Sequence, residues 1–521
     1  VLPSHRVPVV AASVGCHWEG VHMPHPDCDH RQTKIAGVRK RAARRPPSAQ
    51  MSLLRDFRLF VRGWIRRNMV KLAPDSNTSV EAWLAKTNYP EWRKAELLEK
   101  WNKINVQGFN SVEEKLFKVK CFIKDECYPE YKHSRGIYSR TDEFKCIMGP
   151  IFKLIEELVY ENKHFIKHVP VKDRARLIVD SLFKEGATYL ATDYTAFESL
   201  FTKALMESCE FELYRYMTSS IPEGGMFMQF CELVLAGRNV CDFREITVEV
   251  DATRMSGEMN TSLGNGFSNL MFMLFACHRA GSKCDGFVEG DDGIFSVVGV
   301  VPSSQWFENL GLRIKLEEHK DLSSASFCGI VADIHDQVNV SDPLKIVAQF
   351  GWVSSIYARS SDRKLMALLR CKSLSLLDQY PGCPIVQALA EYGLRMTRSF
   401  DVRHLVLNSR MFTSYERDKY LRILSVGETA IRAGRRVVPL ATRDLMSRKF
   451  NVSSDVQILV EKYFEGLNRI CPLNPPVLDT LVHPSWRHYN ERFVCLADVR
   501  SPYLEYPPEH FPNYAGFIQE W

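Results

Sequence analysis

The sequence predicts an α+β fold, short antiparallel strands backed by helices, and three observations carry that prediction. Residues 286–296 read GFVEGDDGIFS, two β-favouring runs that meet at a Gly-Asp-Asp-Gly turn, the pattern of a hairpin. Residues 187–193, ATYLATD, alternate as a strand and end in an acid. Around them, apolar residues recur at three- and four-residue spacing: Leu54, Phe57, Phe60, Val61 and Trp64; Leu205, Cys209 and Leu213; Leu263, Phe267, Leu270 and Leu274. Each of these series is one face of an amphipathic helix.

Composition narrows the class. With 521 residues, 45% of them hydrophobic, the chain can bury a large core and is expected to fold as several domains or subdomains. Its net charge of +6 allows a polyanionic partner without requiring one. Fifteen cysteines are scattered singly with no CxxC pair, which argues for a reducing compartment and against a disulfide scaffold. The longest apolar run, LMFMLFA at 270–276, is far too short to span a membrane, and no signal peptide is evident. A start at Val1 is expected of a processed, fused or truncated product.

In chain order, residues 1–50 read as a basic, partly flexible arm. Cys16, His17, His22, His25, Cys28 and His30 crowd together there, although their spacing fits no recognised zinc pattern, and 31–50 carries only positive charge. From 51 to 101 the chain reads as helical, with one stretch carrying the series from Leu54 to Trp64, a second near 80–85, and a third over 91–101 after a break at 88–90. Lys118, Lys120, Lys124, Lys132, Arg135 and Arg140 then alternate with Phe117, Phe122 and Tyr128, a pattern suited to a phosphate-holding groove or to a solvated strand face. Residues 152–160 read as a helix. One further helix is expected over 201–217, a strand over 248–251, and a helix capped by Asn260 or Thr261 running to about Arg279. Thr261, Asn265 and Ser268 share the polar side of that helix and need partners, which substrate hydroxyls could supply. Beyond the hairpin, 306–310 reads as helix, 312–316 as extended, and 326–331 as a short strand. From 342 onward the chain reads mostly as helix, and the last fifty residues, rich in Pro and aromatics, hold no clear periodicity.

Two adjacent acids at a turn repel each other unless a cation sits on them, and a divalent metal is the commonest remedy. Nucleotidyl transfer on two metal ions needs carboxylates from separate strands, and Asp193, Asp291 and Asp292 are placed to provide them.

At this point the sequence resembles the RNA-dependent RNA polymerases of positive-strand RNA viruses, most closely the tombusvirus-like and related groups. The palm motif A of that family is similar to DYTAFE at 193–198, motif B to SGEMNTSLGN at 256–265, and motif C to GDDG at 290–293. KDE at 124–126 with Lys132, Arg135 and Arg140 resembles motif F, and 311–320 and 326–329 resemble motifs D and E. One position departs from the pattern: the family usually has Asp where Glu198 stands, which leaves its role in sensing the ribose 2′-OH with Asn265 less secure.

The resemblance implies a right hand of fingers, palm and thumb with an antiparallel palm sheet. The arm would occupy 1–50 and the fingers 51–186. The palm would follow at 187–337, with a fingers insertion at about 218–247, and a helical thumb and C-terminal segment would fill 338–521. It implies template-directed RNA synthesis with two Mg²⁺ or Mn²⁺ ions on Asp193, Asp291 and Asp292. Arg140, supported by Arg135 and Lys124, would meet the triphosphate; Glu198, Ser256, Gly257, Thr261 and Asn265 would position sugar and template; Lys315, in preference to Lys320, would protonate pyrophosphate. Implied partners are template and product RNA, ribonucleoside triphosphates, and other viral or host replication proteins. The implied setting is a membrane-associated complex in the host cytoplasm, anchored by other components. A reverse transcriptase is the nearest rival, disfavoured by residues 256–265 and by Glu289, which stands where that family has an aromatic. A catalytically silent RNA-binding scaffold is the rival from another class.

Overall fold

The computed structural model describes residues 12–108 and 113–494. Its strands, in chain order, are β1 (Ala12–Ser13), β2 (Lys118–Ile123), β3 (Gly136–Arg140), β4 (Thr188–Tyr194), β5 (Arg238–Asp242), β6 (Thr247–Asp251), β7 (Lys283–Glu289), β8 (Asp292–Val298), β9 (Ile314–His319), β10 (Val331–Ala332), β11 (Asn339–Val340) and β12 (Trp352–Val353). The central sheet has the order β7-β8-β4-β9 and is antiparallel throughout. The alternating strand period sends Leu190, Phe295 and Val297 to one face, against the helix Thr261–Arg279, and Tyr189, Ile294 and Phe287 to the other, against the helix Val171–Leu182. Because both faces are covered, β4 is buried at every position except Asp193.

A second sheet, β3-β2-β5-β6, joins the basic segment to the insertion after the first acid, with β2 parallel to β5. The helix Asp142–Val159 follows β3 and is capped by Thr141, whose hydroxyl accepts from Phe144 N–H. The C-terminal part from about 338 builds a separate helical core around Leu368, Leu389, Tyr392 and Phe464. Among the described residues no helix is long and apolar enough to cross a membrane.

Three local expectations need correction. The single helix expected over 201–217 is two, Lys203–Ser208 and Glu210–Thr218, parted at Cys209 (φ −124°, ψ −89°); this break sets Glu210 against buried Arg254. The expected strand at 326–331 is a tight turn, with Cys328 and Gly329 both at positive φ and Phe327 bridged to Ile330, so that β10 begins only at Val331. The expected flexible arm is, from residue 12, a strap. β1 pairs with β12, and Val14, Cys16, Trp18, Val21 and Met23 are buried in the C-terminal core. His22 packs against Trp352 and Tyr489, and burial together with the nearby His25 pushes its imidazole down to about 3, so it is neutral there. His25 instead pairs with Asp125. Residues 1–11, 109–112 and 495–521 lie outside the described residues, while the described part of the last fifty holds the helices Leu478–Leu481 and Pro484–Phe493.

Candidate active site

Asp193 is the penultimate residue of β4, with its side chain open to solvent. Thr192 faces Gly293 in the β4–β8 ladder, so one step further along the two strands come Asp193 and Asp292. The β7–β8 turn is made by Gly290 at φ +60°, a conformation glycine adopts without strain, and it sets Asp291 and Asp292 at the same end of the sheet. On the other side of β4, Lys315 of β9 lies directly across from Asp193. The ladder therefore brings together acids that are about a hundred residues apart in the chain.

The acids perturb one another. Burial at the floor of the site raises the Asp291 carboxyl, and Glu198 and Asp193 add to this against the pull of Arg135. Burial, then Asp291 and Glu289, push Asp292 up to about 7, with Asp193 contributing in the same direction. Both side chains still touch solvent, which partly screens the repulsion, so the direction of the shifts carries the argument. Among the described residues no three His, Cys, Asp or Glu side chains close to metal-ligand distances. The donor set nonetheless suits a hard divalent cation: carboxylate oxygens only, from two strands, in mutual repulsion that a cation would relieve.

The loop before the helix Thr261–Arg279 is locked to the basic segment. Ser256 Oγ donates to the Gly136 carbonyl at 2.8 Å, and Thr261 Oγ1 donates back to the Met255 carbonyl at 3.0 Å. Gly257 lies so close to β3 that a Cβ there would meet the Tyr138 carbonyl oxygen at 2.7 Å. Asn265 is buried, and its Oδ1 accepts from Arg254 Nε at 3.0 Å. Glu198 is carried over from β4 by Ala196 at φ +51°, a strained conformation for a residue with a side chain. Its carboxylate meets Arg41 rather than Asn265.

The cations divide. Arg135 grips Glu126 through Nε and Nη2 at 2.5 and 2.7 Å, and Lys124 joins the same carboxylate at 2.8 Å. Burial would raise Glu126, but Arg135 and Lys124 outweigh it and hold the acid at about 2. Both cations keep 43% of their side-chain surface exposed, so they remain open to a phosphate. Arg140 does not. The expectation that it meets a triphosphate is corrected here: its side chain is wholly buried, bonded to Glu258 at 2.7 Å and to Asn239, with the Leu116 and Val234 carbonyls as further acceptors. Lys315 is 71% exposed and pairs with Glu317, whereas Lys320 is tied to Thr188 Oγ1 at 2.9 Å.

Asn269 belongs to the site although the sequence reading passed over it. It lies one helical turn beyond Asn265, wholly buried, and its Nδ2 donates to the Asp291 carbonyl at 2.9 Å while Tyr194 O–H donates to its Oδ1 at 3.2 Å. One amide thus fixes the hairpin tip to β4 and to the helix. Asn269→Leu should leave the Asp291 carbonyl with only the long contact from Thr192 Oγ1 (3.5 Å) and the Tyr194 hydroxyl unsatisfied, cost about 1–3 kcal/mol of stability in a denaturant titration, and lower any activity of the site through misplacement of Asp291.

A cleft of about 850 Å³ opens beside the hairpin, between Trp83 and Arg93 on one side and Arg410 and Tyr415 on the other, and reaches the acids only at Glu289. Arg174 holds Glu289 there at 2.6 Å.

Comparison with known proteins matches residues 229–471 to a family described as viral RNA dependent RNA polymerase. The match includes 256–265 and the paired aspartates but begins after Asp193. A relative, the RNA-directed RNA polymerase of Striped jack nervous necrosis virus, is 26% identical over 215 residues. That alignment covers 38% of this chain, which spans about a fifth (21%) of the relative's length. Both similarities are to viral RNA-dependent RNA polymerases.

Proposed function

We propose that the chain is the polymerase of a positive-strand RNA virus of the tombusvirus-like group, and that it copies an RNA template from ribonucleoside triphosphates. The observation that carries this reading is the meeting of three acids from β4 and the β7–β8 turn at one end of an antiparallel sheet, where burial raises Asp291 and Asp292 and Asp193 adds to both shifts. The helices on either face of that sheet support a palm; 51–186 and 338–521 are proposed as fingers and thumb.

Asp193, Asp291 and Asp292 would hold the divalent ions that such polymerases generally use. When bound, those ions supply charge neutralisation at the reacting phosphate and a more acidic 3′-hydroxyl. The chain's own groups do the rest. Arg135 and Lys124, partly exposed beside Glu126, meet the triphosphate as it enters. Ser256 and Thr261 fix the loop against which sugar and template rest. Lys315, across the ladder from Asp193, delivers a proton to the departing pyrophosphate, and Lys315→Ala should slow incorporation by about 10²-fold in single-turnover kinetics without abolishing it. The cleft beside Glu289, with its aromatic and arginine walls, suits a nucleic-acid strand. The setting proposed is a replication complex on host cytoplasmic membranes, anchored by other components.

The experiment is incorporation of labelled ribonucleotide by the purified chain on an RNA template with Mg²⁺ or Mn²⁺. Product above that of an Asp291→Asn control supports the reading; none would turn it toward an RNA-binding scaffold.

A further inference from the structure

Glu198 departs from its family's pattern and is held by a residue far upstream. Arg41 Nη1 donates to Glu198 Oε1 at 3.0 Å, the two side chains being only 20% and 14% exposed. Arg41 and Arg44 leave one tight turn after the helix Arg31–Lys40, where Arg44 N–H donates to the Arg41 carbonyl at 3.1 Å. Arg313, the residue before β9, reaches the same turn at Arg44 and Arg45. Its carbonyl accepts from Thr195 N–H at 3.1 Å, three residues before Glu198, and its guanidinium donates to the Arg45 carbonyl. Burial, and then the charge of Arg44, hold Arg313 below the usual arginine range.

The cluster is short of acceptors. Arg41 Nε, Arg44 Nη1 and Arg313 Nη1 are each shut off from solvent with no hydrogen-bond partner. Among the described residues Glu198 is the one carboxylate bonded to any of the three arginines. Buried donors on charged groups are normally satisfied, and three orphans on neighbouring guanidiniums mark a place for an anion with several oxygens. The planar fork of arginine fits phosphate oxygens two at a time.

Building on the polymerase reading, we infer that Arg41 is a positioning residue that exchanges partners. The triphosphate of an incoming nucleotide takes Arg41, Arg44 and Arg313, and Glu198, released from Arg41, becomes free to accept a hydrogen bond from the ribose 2′-OH. Asn265, whose Oδ1 accepts from Arg254 Nε, offers its Nδ2 as a donor to the same hydroxyl. Before a nucleotide arrives Glu198 holds Arg41, and the arriving triphosphate must compete with it for that guanidinium.

That competition is measurable without catalysis, by calorimetric titration of the full chain with inorganic tripolyphosphate. Arg41→Ala should weaken binding at least tenfold and Arg41→Lys by less, whereas Glu198→Gln, which removes the competitor but not the arginines, should tighten it at least threefold. Melting curves of the same samples confirm the fold, and the gain in Glu198→Gln cannot come from misfolding. Equal affinity in wild type and Arg41→Ala, or no gain in Glu198→Gln, overturns the exchange. So does an Arg41 dependence found with a 5′-hydroxyl oligoribonucleotide but not with tripolyphosphate. Failure of the wild-type chain to polymerise would defeat the polymerase reading separately, since these titrations decide the competition on their own.

Discussion

Asp291→Asn should lower template-directed incorporation by about 10³-fold, equivalent to roughly 4 kcal/mol of barrier, while leaving a folded and more robust metal-free protein. The two effects have one origin. In the folded chain burial, and then the neighbouring Asp291, push Asp292 up to about 7, and Asp291 is itself raised. The folded state therefore keeps protons that the unfolded chain has already lost. Its stability should fall as pH climbs from about 4 towards 7 and should not recover above that range. Removing the Asp291 charge relieves its neighbour, so the variant should melt higher than wild type at pH 8 without divalent ions. Mg²⁺ should narrow the gap by raising the wild type. Thermal melts at pH 5 and pH 8, with and without Mg²⁺, alongside single-turnover incorporation, check both halves. A variant that lost activity and stability together would instead mean that Asp291 is structural.

Arg140→Ala should have the largest effect on folding. The substitution strands Glu258, whose side chain is 2% exposed, and removes the donor that serves Asn239 and two backbone carbonyls. Leaving a buried charge without its partner costs about 3–5 kcal/mol, a large share of what a domain has to spare. The expected result is a much lower denaturant midpoint, with the fraction that folds retaining the wild-type KM for nucleotides. A residue that gripped triphosphate would behave in the opposite way, with an unchanged midpoint and a raised KM.

These two residues also mark where sequence was and was not enough. The hairpin, the strand ending at Asp193 and the amphipathic helix 261–279 were legible because each is set by a local period and by turn chemistry, and the acids follow from the ends of those elements. Arg140 was misjudged because it was grouped with the exposed cations before it; the alternation along β3 buries it on the same side as Tyr138. Asn269 could have been found, since it lies four residues beyond Asn265 on the same helix. The Arg41–Glu198 contact spans 157 positions and leaves no periodic trace. Nor does the strap: apolar residues 14–23 next to histidines resemble a loose arm until a core that begins more than three hundred residues later closes over them. Interactions of that kind depend on tertiary placement, and local propensity does not record them.

The most direct test of the central claim, that Asp193, Asp291 and Asp292 together drive templated RNA synthesis, is a single-nucleotide extension on four RNA templates that differ only at the copied base. The account predicts that wild type with Mg²⁺ adds the complementary ribonucleotide on each template, and that Asp193→Asn adds none. Addition that ignores the template base, or equal product from Asp193→Asn, would contradict it.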